Sequence, residues 1–429
     1  MRLVATILEE TFDAALSAIR ALDPRMHDVV ELRAEKLGFI DLGALRAATS
    51  KAILLTHRGM NVDDATIVRA IEAGIDLVDV EWRAGMRIDA PRDRIVLSHH
   101  DYEGMTGDLD AMRAMGCAHT KLAVTPKTLD DNLALLRRIE KGTSVIAMGE
   151  RGLYSRILAP FLGSELAFAG NAAPGQLSLE RAFAIYGENR ELCGPDIPVW
   201  PSRSSGRPDR NVWPTHVFAI AGNPAGHSLS PSIHNPLFRE KGVDAAYTIA
   251  SFETWDEIAR AFDRGDIRGL SVTAPFKEEA FAYARRAEAH MHHHARECGA
   301  INTLVRMRDG CLVADNTDVD GFEAVIGTPK RVAIAGAGGT ARAAMVAAKR
   351  AGAHVTIYNR SGRDFADVEP LEKLRDFDGD LIIDTLPVEI ELPPVRTIRA
   401  SYTKNEPTGL QLLHAQAIRQ NEIFVEAIT

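Results

Sequence analysis

Cysteine is scarce in this chain. The four residues, Cys117, Cys193, Cys298 and Cys311, stand far apart with no CxxC pair. That spacing excludes a disulfide framework and a cysteine-rich zinc module, and it suits a reducing compartment. Long apolar runs are lacking too: none reaches the roughly 18 residues that a membrane span needs. Glu9 and Glu10 interrupt the apolar start MRLVATILEE too early for a signal peptide. The expectation is a cytoplasmic protein with no membrane partner. Basic excess is also missing. A net charge of -9 speaks against a general nucleic-acid binder, while leaving room for a local basic pocket that takes a carboxylate or phosphate.

What is present is a long α/β text. At 429 residues the chain has room for two to four domains. In the first half, short β-branched runs at 4–8, 29–32, 52–56, 77–81, 95–99, 120–124, 145–148 and 166–169 alternate with amphipathic stretches such as 11–22, 63–73 and 129–141. Repeated βα units imply a parallel sheet. Eight runs suit a closed barrel, and a doubly wound open sheet fits the same alternation. Residues 199–214, VWPSRSSGRPDRNVWP, have no apolar period and read as a linker. A new α/β segment starts near Thr215, and the text begins afresh at RVAIAGAGGTARAAMVAA from Arg331.

Polar residues cluster at the C-terminal ends of the first-half strands, where barrel enzymes keep their sites. Glu31 and Arg33 end the second run, Arg58 follows the third, Glu81 ends the fourth, and His99, His100 and Asp101 end the fifth. Lys121 lies inside the sixth, Arg156 follows the seventh and Gln176 the eighth. A lysine flanked by Leu122, Ala123 and Val124 is expected to be desolvated, which favours the neutral amine that imine formation requires. The plain alternative is a packed stem whose head reaches water. Strand alternation turns only one of His99 and His100 inward, where it could move protons around an imine. Glu31 and Glu81 could equally be ion-pair partners of Arg33 and Arg58.

Together the pieces ELR at 31–33, DVEW at 79–82, SHHDY at 98–102, KLAVTP at 121–126, SR at 155–156 and APGQ at 173–176 resemble type I 3-dehydroquinate dehydratase over about residues 1–185. The resemblance implies a TIM barrel in which Lys121 forms an imine with the substrate ketone. His100 would shuttle the proton for loss of water, and Glu81 would orient it. Glu31, Arg33, Arg58, Arg156 and Gln176 would line the substrate. Ala172 departs from the family, which often has a serine there.

In the second half, GNPAGHSLSPSIHN at 222–235 places Ser228 and Ser230 on one side of an extended segment. The pair could bind a carboxylate or simply cap a helix ahead of Pro231. LSVTAPFKE at 270–278 carries Lys277, and ADNTDVDGF at 314–322 carries Asp318. Brought together, they would make a proton-transfer pair for alcohol–ketone chemistry. Gly336, Gly338 and Gly339 lie between a strand and a helix, as a pyrophosphate-binding turn requires. The next strand ends in Asn359, Arg360 and Ser361, with arginine where an NAD site usually has an acid, which favours a 2′-phosphate and hence NADP(H).

With GAINTLV at 299–305, these motifs resemble shikimate dehydrogenase over about residues 215–429. The resemblance implies Lys277 and Asp318 as the catalytic dyad, with Ser228, Ser230, Thr273, Asn302 and Gln416 as shikimate contacts. The expected layout is a barrel over 1–200, a linker at 201–214, a substrate-binding lobe over 215–320 completed by a helix at 409–429, and a Rossmann cofactor lobe over 321–408. The pattern between Asp384 and Gly409 is compressed, with Asp384-Thr385 replacing an asparagine-containing turn and Tyr402 and Pro407 matching only loosely. His292, His293 and His294 read as surface residues, and no metal is expected. The lead expectation is a bifunctional enzyme that dehydrates 3-dehydroquinate and reduces 3-dehydroshikimate. A catabolic quinate enzyme and a non-catalytic metabolite sensor are the alternatives, and the oligomeric state is open.

Overall fold

A computed structural model describes residues 1–58, 62–187, 216–360, 368–401 and 406–429. The expected linker at 201–214, Ser361, Tyr402 and Cys193 lie outside the described residues. Contacts group the chain into two compact units. One is Met1–Val217 with Gly226–Phe252; the other is Phe218–Ala225 with Glu253–Thr429.

Eight parallel strands build the first unit: β1 (Arg2–Ile7), β2 (Val29–Arg33), β3 (Ala52–Thr56), β4 (Leu77–Glu81), β5 (Ile95–Asp101), β6 (His119–Val124), β7 (Thr143–Ala147) and β8 (Leu166–Gly170). Their order, β7-β6-β5-β4-β3-β2-β1-β8, is that of a barrel that nearly closes on itself. At the seam between β7 and β8, the Ser144 hydroxyl accepts from Leu166 N at 2.8 Å and lies 2.8 Å from His119 Nε2. One long backbone bond, Glu165 N to Thr143 O at 3.4 Å, accompanies it. The helices start where the sequence supplies caps: Thr11 accepts from Ala14 N, Asp63 from Thr66 N, and Thr128 forms a capping box with Asp131. The third expected helix is shorter than its pattern and ends at Leu136.

The barrel interior follows from strand period. Val4, Val29, Leu54, Leu77 and Val96 form an apolar layer with Leu166. Two residues onward, on the same faces, stand Thr6, Glu31, Thr56, Asp79 and Ser98, all buried. A polar layer thus sits directly above the apolar one, toward the C-terminal ends of the strands.

The next strands are β9 (His216–Gly222), β10 (Ala245–Ser251), β11 (Gly269–Val272), β12 (His290–Met291), β13 (Thr303–Arg306) and β14 (Leu312–Asp315). β10 belongs to the first unit, where it packs on the barrel helix Leu153–Leu158, while the helix Ser230–Glu240 packs on the barrel helix Leu179–Tyr186. In the second unit β11 runs parallel to β9 and antiparallel to β13, and β14 pairs with both β13 and β12.

A second sheet has the order β17-β16-β15-β18-β19, built from β15 (Arg331–Ala335), β16 (His354–Asn359), β17 (Val368–Pro370), β18 (Leu381–Asp384) and β19 (Thr397–Arg399). Every ladder in it is parallel, as in a Rossmann-type fold. One face is covered by the helices Asp318–Ile326, Gly339–Arg350 and Pro407–Glu426. Among the described residues, the other carries a short 3-10 helix, Leu371–Asp376, and the apolar side chains of Leu386, Ile390, Leu392 and Val395. The compression expected after Asp384 is visible here, since residues 385–396 join β18 to β19 with no helix. The closing helix runs over Pro407–Glu426, 20 residues. No helix among the described residues is long and apolar enough to cross a membrane.

Candidate active sites

The polar layer of the barrel opens into a cavity of ≈ 130 Å³ lined by Glu31, Arg33, Arg58, His100, Lys121, Arg156 and Gln176, together with Thr6, Phe168 and Ala172. Seven of the expected site residues therefore meet in one place. Lys121 is buried, as its apolar neighbours suggested, and its head has a partner that the sequence reading did not assign. Nζ donates to Asp79 Oδ2 at 2.8 Å, with Glu31 Oε1 at 3.9 Å and the Phe168 ring centre at 4.3 Å. Burial would raise the Asp79 carboxyl, but the charges of Lys121 and Arg58 outweigh it and hold the group well below the usual carboxylate range.

Strand alternation selects His100. Its Nδ1 lies 2.7 Å from Glu81 Oε2, and its backbone N donates to Glu81 Oε1 at 2.9 Å. His99 faces away from the cavity and meets Trp82 edge-on at 5.8 Å. Burial pushes His100 down to about 4, helped by Arg58 and Lys121 and opposed by Glu81. Arg58 Nη1 touches the His100 ring and reaches Glu81 at 3.4 Å. The Ser98 hydroxyl donates to Asp79 Oδ1 at 2.6 Å and lies 3.4 Å from Glu81, linking the lysine's carboxylate to the histidine's.

The ion-pair alternative for Glu31 does not hold. Glu31 accepts from Thr6 at 2.7 Å and Thr56 at 2.9 Å, while Arg33 pairs with Glu35. Gln176 Oε1 accepts from Ala172 N and Ala173 N, and Nε2 donates to Thr6, so this side chain has a fixed orientation. Arg156 Nε donates to Ala147 O at 2.8 Å, and burial pushes its guanidinium down to about 10.

In the second unit, Lys277 opens the helix Lys277–Arg286 and Asp318 opens Asp318–Ile326. Lys277 Nζ donates to Asp318 Oδ2 and, at 3.1 Å, to Thr340 Oγ1. Asn302 Nδ2 donates to the other Asp318 oxygen at 2.8 Å and lies 3.4 Å from Gln416 Oε1. Four expected residues thus form one network, and Thr340 is an addition to it. Thr273 directly follows β11, its N donating to Ala221 O. Ser228 and Ser230 belong to the first compact unit. Both are buried, with hydroxyls 3.1 Å apart. The capping alternative fails for Ser230, because the helix has Leu229 at its N-cap and no side-chain cap bond.

The glycine turn has the form a pyrophosphate needs. Gly336 has φ +111°, and a Cβ there would lie 2.4 Å from Thr385 Oγ1. Gly338 is open and is the N-cap of the 12-residue helix Gly339–Arg350. A Cβ on Gly339 would lie 3.0 Å from Lys277 Cδ, so a glycine here lets the dyad lysine sit against the turn. Asn359 ends β16 beside this turn, where Gly336 N donates to Tyr358 O, and Arg360 is exposed just beyond. The residues present fit a dinucleotide.

One expectation needs correcting. His293 is exposed, but His294 is buried, with Nδ1 3.4 Å from Asp320 Oδ2 and its ring against Arg350. His292 bonds Asp315 at 2.9 Å. The short helix His293–Cys298 turns His294, Ala295 and Cys298 inward together. Among the described residues no metal-binding cluster occurs.

The type I 3-dehydroquinase model matches residues 3–192, and the shikimate dehydrogenase substrate binding domain model matches 220–304. The chain is 34% identical over 205 residues to a shikimate dehydrogenase (NADP(+)) of Hyphomonas neptunium, covering 42% of this chain and 74% of that protein. It is 26% identical over 438 residues to the shikimate biosynthesis protein AroDE of Chlamydia pneumoniae, covering 91% and 85%. It is 28% identical over 389 residues to the chloroplastic bifunctional 3-dehydroquinate dehydratase/shikimate dehydrogenase of Arabidopsis thaliana, covering 78% of this chain but 60% of that protein.

Proposed function

This chain belongs to the shikimate dehydrogenase family and carries a type I 3-dehydroquinase unit ahead of it, and on that premise we propose that it catalyses two consecutive reactions. The barrel dehydrates 3-dehydroquinate to 3-dehydroshikimate, and the second half reduces that ketone to shikimate with NADPH. The working domains are a barrel over 1–200, a linker at 201–214, a substrate lobe over 215–320 completed by 409–429, and a cofactor lobe over 321–408. The widely spaced free cysteines support a cytoplasmic workplace.

In the barrel, the Lys121 amine attacks the ketone carbon. The carbinolamine loses water to give an imine, which acidifies the neighbouring carbon. A proton leaves that carbon, and the β-hydroxyl departs as water after taking a proton. Hydrolysis of the imine then frees the enone and restores the amine. His100, neutral at working pH and oriented by Glu81, carries the protons. Arg33, Arg58, Arg156 and Gln176 hold the carboxylate and hydroxyls. Asp79 receives the lysine head between turnovers.

In the second half, NADPH when bound would supply the hydride that ketone reduction needs. Lys277 hands a proton to the carbonyl oxygen, and Asp318, fixed by Asn302, supports the lysine. Ser228 and Ser230 take the carboxylate, with Thr273, Asn302 and Gln416 as further substrate contacts. Gly336, Gly338 and Gly339 would cradle the cofactor's pyrophosphate, and Asn359, Arg360 and Ser361 would hold its 2′-phosphate end.

The observation that carries this reading is Lys121, buried in the cavity beside the His100–Glu81 pair. Borohydride added with 3-dehydroquinate should fix a substrate adduct on the Lys121 peptide, read by mass spectrometry. An active enzyme that yields no adduct would rule out the imine route.

A further inference from the structure

The geometry points to a clamp in which two barrel side chains, Arg181 and Glu150, hold the loop that carries Ser228 and Ser230 and so position those hydroxyls for the second substrate. This rests on the substrate role proposed for the two serines. Arg181 lies on the barrel helix Leu179–Tyr186. Its Nη1 donates to Gly226 O at 3.0 Å and its Nη2 to Ser228 O at 2.7 Å. Glu150 follows β7, and its Oε1 accepts from Gly226 N at 2.9 Å and from Ser251 Oγ at 2.8 Å. Both polar groups of the Gly226 backbone are therefore taken by side chains of the barrel.

A guanidinium fork with two donors fixes direction as well as place. Its second prong ends on the carbonyl of Ser228 itself. From there the order passes to the hydroxyls: Ser230 N donates to Ser228 Oγ at 3.2 Å, and the two hydroxyls lie 3.1 Å apart. Gly226 allows the approach, since a Cβ there would sit 3.1 Å from Glu150 Oε1. Neither clamp residue lines the barrel cavity.

The rest of the segment is fastened separately. Arg239 donates to Ala184 O at 3.3 Å, and the buried Thr248 hydroxyl donates to Tyr154 O at 2.8 Å. Removing Arg181 would loosen the serine loop without detaching the helix and strand behind it. Substrate affinity in the second reaction is thus set partly by residues of the domain that performs the first.

The test uses the full chain. Arg181→Ala should raise the KM for shikimate in NADP-linked oxidation about tenfold, as expected for loss of a charge-assisted fork. Its kcat and the dehydratase constants should stay within about twofold of the parent. Arg181→Lys, with one point charge in place of the fork, should recover part of the KM, and Glu150→Gln should raise it less than Arg181→Ala. An unchanged shikimate KM in Arg181→Ala overturns the clamp. If the parent chain itself does not oxidise shikimate, the proposed function falls, and the clamp is read by deuterium exchange instead. Faster exchange over 223–234 in Arg181→Ala supports it, and unchanged exchange refutes it.

Discussion

Both halves of this molecule set a lysine against an aspartate, and the surroundings of the two pairs differ. Lys121 sits in mid-strand, with side-chain exposures of 3% for the lysine and 4% for Asp79. An aromatic ring stands over it, and a histidine held by a glutamate lines the same cavity. Lys277 starts a helix, at 12% with 10% for Asp318, and its neighbours are a threonine hydroxyl and an asparagine that holds the aspartate. A buried ion pair is a poor source of stability, because desolvation offsets most of the Coulomb attraction. Neither pair is explained as scaffolding. The sealed pair suits an amine that bonds to its substrate, and the more open pair suits one that only lends a proton.

The sharpest way to break this comparison is to remove each lysine in turn. Lys121→Met should lower dehydratase kcat by at least about 10⁴-fold, since no other group supplies the covalent step. Shikimate oxidation should stay within about twofold. Lys277→Met should cost roughly 10²–10³-fold in oxidation, the scale of general acid catalysis, and spare dehydration. Equal losses of both activities in either variant would show that the pairs are not independent.

The acid limb of the barrel reaction tests the histidine. His100 is pushed down to about 4, so it stays neutral and able to accept a proton above that value. The dehydratase kcat/KM should therefore hold on acidification and then fall about tenfold per pH unit below the limb. Glu81 pulls His100 upward, so Glu81→Gln should move the limb to lower pH; movement the other way refutes the assignment. The smallest effect concerns the cofactor. Arg360→Ala should reduce the preference for NADPH over NADH about tenfold, the value of one charge-assisted contact. An unchanged ratio would put the 2′-phosphate elsewhere.

Much of this was legible in the sequence because it is local. β3 and β4 fall where their apolar runs lie, and the caps at Thr11 and Asp63 stand at their helix starts. Lys121 and His100 could be singled out because strand alternation fixes which side chains face inward. The same rule would have found Asp79: it precedes Glu81 by two residues, so both point into the barrel. His294 was misplaced because three adjacent histidines look uniformly polar, whereas the buried Ala295 and Cys298 beside it mark an inward face. Thr340 and Arg181 carried no signal. Their partners lie 63 and about 45 residues away in the chain, and no motif spacing links them.

The seam of the barrel has a consequence for how Lys121 is held. The ring of strands is fastened like a bracelet, and its clasp is one serine hydroxyl and a single long backbone hydrogen bond rather than a ladder. Each such bond contributes on the order of 1 kcal/mol, so the clasp is the weakest joint in the ring. The strand on its far side carries Phe168, the ring that covers the Lys121 head. The lid over the reactive amine therefore hangs from the part of the barrel that gives way most easily.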